Sequence, residues 1–283
     1  MNADRSPLFC DVSLAARVER AEARLMARSS DAARRRRGDT TGFVLPVAGG
    51  VASFAEKDSP FNKVAGLGFG GVPDEAAFDE IKRSFAACGA PVQIELATLA
   101  DPEIGALLTG RGYRLASFEN VLGRALPGRV PSRVTPPGVE VRPSGEEELE
   151  PWLDVLADGI AHADTQGVPS HEEFPRETLV NAMRDLAAVG VRRYVALRDG
   201  ILAGGAGLHV TEGVAQLTGA ATAPAHRRRG IQSALLAARL TEATAAGCDI
   251  AVVTTQPGSR SQQNVQRQGF DLLYTRAILV EQP

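Results

Sequence analysis

The sequence predicts an α/β fold made of two similar mixed-sheet domains in tandem. Three observations carry this reading. Segments with strand and helix periods alternate along the 283 residues. The two halves end in matching series of elements. A run rich in proline and glycine, residues 127–138, lies between them. The expected organisation is a domain over 1–126, a linker over 127–138 and a domain over 139–283.

Asp11 is placed to cap a helix from about Val12, with Leu14, Val18, Ala21 and Leu25 on one face. Arg34 to Arg37 then read as a solvated helix end, where cations complement the negative pole. Strands are expected at 42–47, 51–54 and 63–69. Asp74 opens a helix carrying Phe78, Ile81 and Phe85, which closes at Gly89. A strand at 92–96, a helix from Asp101 to Gly112 and a strand at 113–122 complete this half. The second half restarts with a strand at 139–142. A helix follows with Leu149, Trp152, Leu153 and Leu156 on one face, where Trp152 reads first as core and second as a substrate wall. After a polar stretch at 162–175 come a helix at 178–189 and three antiparallel strands at 194–197, 202–210 and 214–221. A helix at 231–246, a strand at 250–254, a short helix up to Gly269 and a strand at 270–280 end the chain.

The repeat is clearest at the end of each half. Strands 92–96 and 249–253 are alike in kind, and Thr98 to Gly112 spans the same interval as Thr255 to Gly269. Arg111-Gly112-Tyr113 parallels Gln268-Gly269-Phe270. The halves differ between strand and helix, where the second carries extra residues at Ala223 to Arg229.

Net charge of −3 argues against a chain that coats nucleic acid, which needs a basic field. Cys10, Cys88 and Cys248 lack the spacing of metal or redox pairs and read as reduced thiols in a cytoplasmic protein. Neither an apolar run of about 18 residues nor a secretory h-region is present, so no membrane partner is expected.

The chemistry concentrates at Ala221-Thr222-Ala223 and the following turn, Arg227-Arg228-Arg229-Gly230-Ile231-Gln232-Ser233. A strand here enters a loop that opens a helix. The first turn of a helix offers unpaired amides and a partial positive charge, and a phosphate sits well there. Gly230 lets an anion approach the backbone, and the arginines attract a polyanion. The turn reads as a pyrophosphate site or as a basic surface helix start. It is neither a P-loop nor a dinucleotide fingerprint.

This turn resembles the [Q/R]-x-x-G-x-[G/A] motif of the GNAT N-acetyltransferases, with Gln232 in place of the last Gly/Ala. That departure is harmless where the backbone stays helical and the side chain points away. Asn264 to Phe270 is similar to the family's late helix ending in Gly-Phe, and the likeness runs over 139–280. It implies two GNAT-like mixed-sheet domains in tandem, with acetyl-CoA as co-substrate and no metal. It implies that residues 221–223, 227–233 and Asn264 contact the cofactor. Asn264 also reads as a helix cap. The first half has Asp74 and Glu75 where phosphates would sit, so it is expected to be a degenerate half without a CoA site.

In the family a tyrosine often protonates the leaving thiolate, and that position is Val265 here. Ser261 and Tyr274 are the nearby hydroxyls that could replace it, and His209 is a candidate base. Each also has a structural reading. His162, Asp164 and Gln166 lie in the segment that covers the acceptor site in the family, and its acidity suits an amine. The implied reaction is direct acetyl transfer from acetyl-CoA to a small-molecule amine in a ternary complex. An amino acid derivative, a polyamine and an aminoglycoside-like compound are the acceptors considered. A protein or peptide amine, or a non-catalytic CoA-binding module, is the alternative.

Overall fold

Local capping starts the first element where expected. The Asp11 carboxylate accepts from the Leu14 amide at 2.8 Å, and Gly38, in the left-handed region, ends helix α1 (Val12–Arg37). In the computed structural model residues 6–126, 135–162 and 166–282 are described. Asp164 and residues 127–134 of the linker lie outside the described residues.

The first half continues with β1 (Phe43–Val47), β2 (Gly50–Phe54), β3 (Lys63–Ala65), α2 (Glu75–Ala87), β4 (Gln93–Ala97), α3 (Pro102–Gly110) and β5 (Arg114–Ala125). β3 stops short of the expected 63–69 because Gly66 and Gly68 take positive φ, +73° and +89°. The second half holds β6 (Val139–Pro143), α4 (Leu149–Ala161), α5 (Arg176–Ala188), β7 (Arg192–Arg198) and β8 (Ile201–Thr211). It ends with β9 (Val214–Gln216), β10 (Ala220–Thr222), α6 (Ile231–Ala245), β11 (Ile250–Thr255), α7 (Arg260–Gln266) and β12 (Asp271–Val280). Both halves have the mixed α/β pattern of GNAT domains. Among the described residues no helix is long and apolar enough to cross a membrane.

The halves share one sheet, because each gives its last strand to the other. The strand order is β1-β2-β3-β4-β12-β5-β11-β9-β8-β7-β6. β12 lies antiparallel between β4 and β5, while β5 lies antiparallel between β12 and β11. Every neighbour of β5 thus comes from the second half, and every neighbour of β12 from the first. The linker separates the halves along the chain, but the sheet runs through without an edge at the seam.

Strand alternation assigns the faces. Ala215 on β9 and Ala251 on β11 join Leu235, Leu236 and Leu240 of α6 in one core. The residues beside them, Val214, Ile250 and Val252, join Ala15, Val18 and Ala21 of α1 on the opposite face. α4 and α5 cover that second face further out, where Trp152 packs with Leu156, Val195 and Ala221. Trp152 is therefore core, and its indole N–H donates to the Tyr194 carbonyl at 3.2 Å.

α1 ties the halves together. Arg17 pairs with Asp249 at 2.8 Å, and Arg24 pairs with Glu212. The Arg34–Arg37 run is not simply a solvated helix end. Arg36 bridges Glu56 at 2.6 Å and Asp185 of α5 at 2.9 Å, and Arg37 holds Asp39 and the Thr41 carbonyl. At the seam, Arg276 of β12 is fully buried. Its Nε donates to Glu19 at 2.7 Å, and its Nη1 reaches Glu95 at 3.4 Å. Burial opposes the charge, yet Glu19 and Glu95 hold the guanidinium well above its ordinary pKa.

Candidate functional site

The strand expected over 214–221 is broken, and the break makes the site. β9 runs parallel to β11, with Val214 opposite Ile250 and Gln216 opposite Val252. The Leu217 amide still donates to the Val252 carbonyl at 2.9 Å. The chain then steps away. The Gly207 amide of β8 is shared between the carbonyls of Thr218 and Gly219, at 3.0 and 3.1 Å. β10 beyond the break pairs only with β8. β10 and β11 therefore part, and a slot of about 220 Å³ opens between them beneath α6 and α7. Its walls include Gly219 and Ala220 from the break, Val253 and Thr254 from β11, and Asn264 and Val265 from α7.

The slot leads to the N-terminus of α6. Pro224 starts a short 3-10 turn, and Arg228 then takes φ +61°. Gly230, the N-cap of α6, takes φ +80° and has no side chain with which to cap the helix. The amides of Ile231, Gln232 and Ser233 are thus first-turn donors without intrahelical acceptors. Left-handed residues alternating with others turn successive amides toward one point, which favours an anion. Arg228 and Arg229 are exposed around it. On β10 the Thr222 hydroxyl is buried without a hydrogen-bond partner among the described residues. An uncapped helix start, an orphaned hydroxyl and a slot between parted strands fit a phosphorylated, extended cofactor.

The expected cofactor residues do not all present side chains to this space. Gln232, Ser233 and Asn264 line the slot. Gln232 has a helical backbone and is among the residues that line the slot. Ala221 turns to the other face, against α4, and Ile231 is core. Only their backbones, with that of Ala223, are available to a ligand. Arg227 is spent on the C-terminal end of α4. Its Nη2 donates to the His162 carbonyl and, at 3.4 Å, to that of Gly159, where a cation suits the helix dipole.

The catalytic candidates separate. Ser261 lines the slot. Tyr274 does not, because its buried hydroxyl donates to Glu19 at 2.7 Å beneath α1. A phenol committed to a buried carboxylate, with its pKa driven up by burial and then by Glu19, is structural. His209 is buried as well. Its Nδ1 meets Gln216 Oε1 at 2.9 Å, and Gln216 donates onward to Glu22 at 3.0 Å. Burial lowers its pKa, so the ring is a neutral member of a core network on the α1 face. The expectation of a surface or catalytic histidine is corrected on both counts.

The 166–173 segment reaches across the seam. Gln166 Nε2 meets the Gly258 carbonyl at 3.4 Å, and the Val168 amide donates to the Pro257 carbonyl at 3.1 Å. Further along, His171 Nδ1 lies 2.7 Å from Ser117 Oγ, and Gln93 Nε2 donates to Glu172 at 3.0 Å. His162 stays at the end of α4, with its ring against the Asp158 carbonyl at 2.9 Å. The residues that meet His171 and Glu172 come from β5 and β4 of the first half, and sequence reasoning missed them. Beneath the segment, Glu95, Glu119 and Lys63 share one face of the sheet. Lys63 pairs with Glu95. Burial opposes the Lys63 ammonium, but Glu95 and Glu119 outweigh it and raise its pKa. Glu119 is pushed up to about 7, first by burial and then by Glu95. Its strand neighbour Asn120 points to the opposite face, where its amide donates to Gln262 of α7 at 3.3 Å, beside slot-lining Ser261.

In the first half, the turn that leads to α2 packs against its own chain. The Gly70 amide donates to the Ala48 carbonyl at 3.0 Å, and the Gly49 backbone packs so closely that an added Cβ would stand 2.8 Å from that amide. Asp74 caps α2 by accepting from the Ala77 amide at 2.8 Å. Its first-turn donors face a carboxylate already in place.

Residues 160–270, which contain the whole slot, match the profile of the Acetyltransferase (GNAT) family. The match lies wholly within the second half of the chain. The fold as a whole is similar to a GCN5-related N-acetyltransferase from Kribbella flavida at 20% identity and a TM-score of 0.64, with 92% of this chain and 95% of that one covered. A tandem GNAT protein from the clavulanic acid biosynthesis pathway is similar at 12% identity and a TM-score of 0.59, covering 93% and 94%. A GCN5-related N-acetyltransferase from Sphaerobacter thermophilus follows at 15% and 0.55, covering 98% and 94%. At these identities the likeness concerns the fold, and it spans both halves. No curated protein matches the sequence.

Proposed function

We propose that the chain is an acetyl-CoA-dependent N-acetyltransferase acting on the amine of a small molecule, with one cofactor site, in the second half. The observation that carries this is the parting of β10 and β11 toward the uncapped start of α6. The pyrophosphate of acetyl-CoA would be held by the amides of residues 230–233, and the pantetheine arm by the slot with Asn264. The first half, 1–126, would serve as a GNAT-like partner without a cofactor. It would give β5 and the seam residues to the acceptor side.

An amine attacks the acetyl carbonyl carbon when both are held within reach. Alkyl amines arrive protonated, with pKa about 10. Glu119 is suited to take that proton, since a carboxyl with a pKa of about 7 is half ionised at neutral pH. The carboxylates of Glu119, beneath the 166–173 segment, and of Glu172, within it, favour a cationic acceptor. Replacing Glu119 with Gln should cut kcat at least tenfold and remove a rise in rate with pH through about 7. An unchanged pH–rate profile in that variant would exclude Glu119 as the base.

The reaction itself is tested by thiol release from acetyl-CoA with a panel of polyamines, aminoglycosides, amino acid amides and peptides. Turnover confined to small amines supports the proposal. Turnover with peptides alone moves the acceptor to a protein amine. Tight CoA binding without turnover on any amine supports a non-catalytic module, a reading that Val265 in the slot favours.

A further inference from the structure

Arg239 is an unusual residue to find in this slot. Among the described residues it is the only ionisable side chain in the lining. It is 3% exposed. Its Nη1 donates to the Gly207 carbonyl at 3.0 Å and lies 3.5 Å from that of Thr218, and its Nε donates to Leu235 at 3.2 Å. Two of these acceptors, Gly207 and Thr218, are the groups that form the strand break. Among the described residues no carboxylate pairs with it. Tyr194 on β7 is the one titratable group whose charge acts on it, and burial pulls its pKa only to about 10, so it stays cationic at neutral pH. Arg228 and Arg229 are exposed just before the start of α6.

A buried cation without a counter-ion is costly, and an apolar residue of similar size would serve packing better. The position of the charge suggests its use. Gln232, Ser233, Leu236 and Arg239 line the slot in that order along α6, with Arg239 furthest from the start of the helix. From Ile231 to Arg239 the helix rises about 12 Å. That is comparable with an extended pantetheine arm running from a pyrophosphate at the start of α6. The inner end of the slot is therefore where the sulfur of the cofactor arrives. Val265, at the position of the family's usual acid, offers no proton there.

Resting on the acetyl-CoA reading above, we propose that Arg239 has two roles: it holds the parted strands, and its fixed charge stabilises the departing CoA thiolate. In the transfer, the amine nitrogen forms a bond to the acetyl carbon and the carbon–sulfur bond breaks. Sulfur leaves with the electron pair as thiolate, facing the guanidinium. The extra proton on nitrogen goes to Glu119 or water, and the thiolate is protonated from water after release. No proton has to come from the slot.

The test uses the full chain and CoA itself. Calorimetry first establishes binding, and absence of CoA binding overturns the cofactor site and this role together. With binding established, the ultraviolet absorption of the bound thiolate is titrated against pH. The wild-type complex should titrate at least one pH unit below free CoA, because a nearby cation favours the thiolate. Arg239→Lys should keep most of that shift, and Arg239→Gln should lose it with at least a tenfold fall in kcat. Bound thiol in the wild type that titrates at or above free CoA overturns the role while leaving the cofactor site intact. That measurement needs no variant to fold. A folded Arg239→Gln protein with the wild-type shift overturns it equally.

Discussion

Gly230→Asp should lose acetyl-CoA binding by two to three orders of magnitude, with the fold retained. Gly230 has φ +80°, and a Cβ there would lie 2.6 Å from Pro136 Cγ. A side chain in the left-handed region costs about 1–3 kcal/mol, so the turn must shift. An aspartate at the N-cap is otherwise favourable, because its carboxylate accepts from first-turn amides. Those amides are the donors assigned to the pyrophosphate. The carboxylate would occupy them and oppose a second anion, with up to about 2 kcal/mol at a helix terminus. With about 1.4 kcal/mol per decade, the two effects give the stated loss. Gly230→Ala carries the strain without the charge and should lose about tenfold less than the aspartate. Calorimetry with acetyl-CoA, alongside circular dichroism, checks both variants. Wild-type affinity in a folded Gly230→Asp protein would remove the cofactor from this turn. The first half already contains the natural counterpart, since Asp74 caps α2 at the equivalent turn.

The turn could be read from sequence because its chemistry is local. Proline, arginine and glycine stand in one short run, and apolar periodicity begins immediately after them. The break that gives the turn its purpose could not be read in this way. Residues 214–221 alternate like an unbroken strand. What parts them is the double hydrogen bond at Gly207 and the guanidinium of Arg239, both distant in sequence. Arg239 itself looks like an ordinary helical arginine until the partner carbonyls are known. The strand exchange was hidden for a different reason. β5 and β12 follow the same helix–turn pattern, and each offers a face that fits either sheet. The repeat that revealed two halves therefore carried no information on which half each strand would join. Tyr274 and His209 failed as site residues because α1 covers the sheet face to which they point. The amphipathic pattern of α1 announced burial, but not against what. The partners of His171 and Glu172, Ser117 and Gln93, could not be read from the segment itself, since they belong to the other half.

The exchange also fixes where the fold is most sensitive. Arg276→Met should destabilise the protein by about 3–5 kcal/mol, since removing one partner of a buried pair leaves an uncompensated charge. Glu19 is the residue left behind. It is 1% exposed, and its Oε2 already lacks a hydrogen-bond partner among the described residues. Burial raises its pKa even with Arg276 and Tyr274 opposing, and loss of the guanidinium must raise it further. The sign of the pH dependence follows. A carboxyl whose folded pKa lies above its unfolded value binds more protons when folded, so stability grows as pH falls between the two values. The variant should therefore regain stability as pH drops from neutral toward about 4, the unfolded glutamate value. Glu19→Gln combined with Arg276→Met should recover part of the loss at neutral pH, and that double variant should lack the acid recovery. Urea midpoints for the wild type, Arg276→Met, Glu19→Gln and the double variant at neutral and acid pH measure each term of this cycle. If the single and double variants were equally unstable at neutral pH, the cost would come from lost packing at the seam and not from the stranded Glu19 charge.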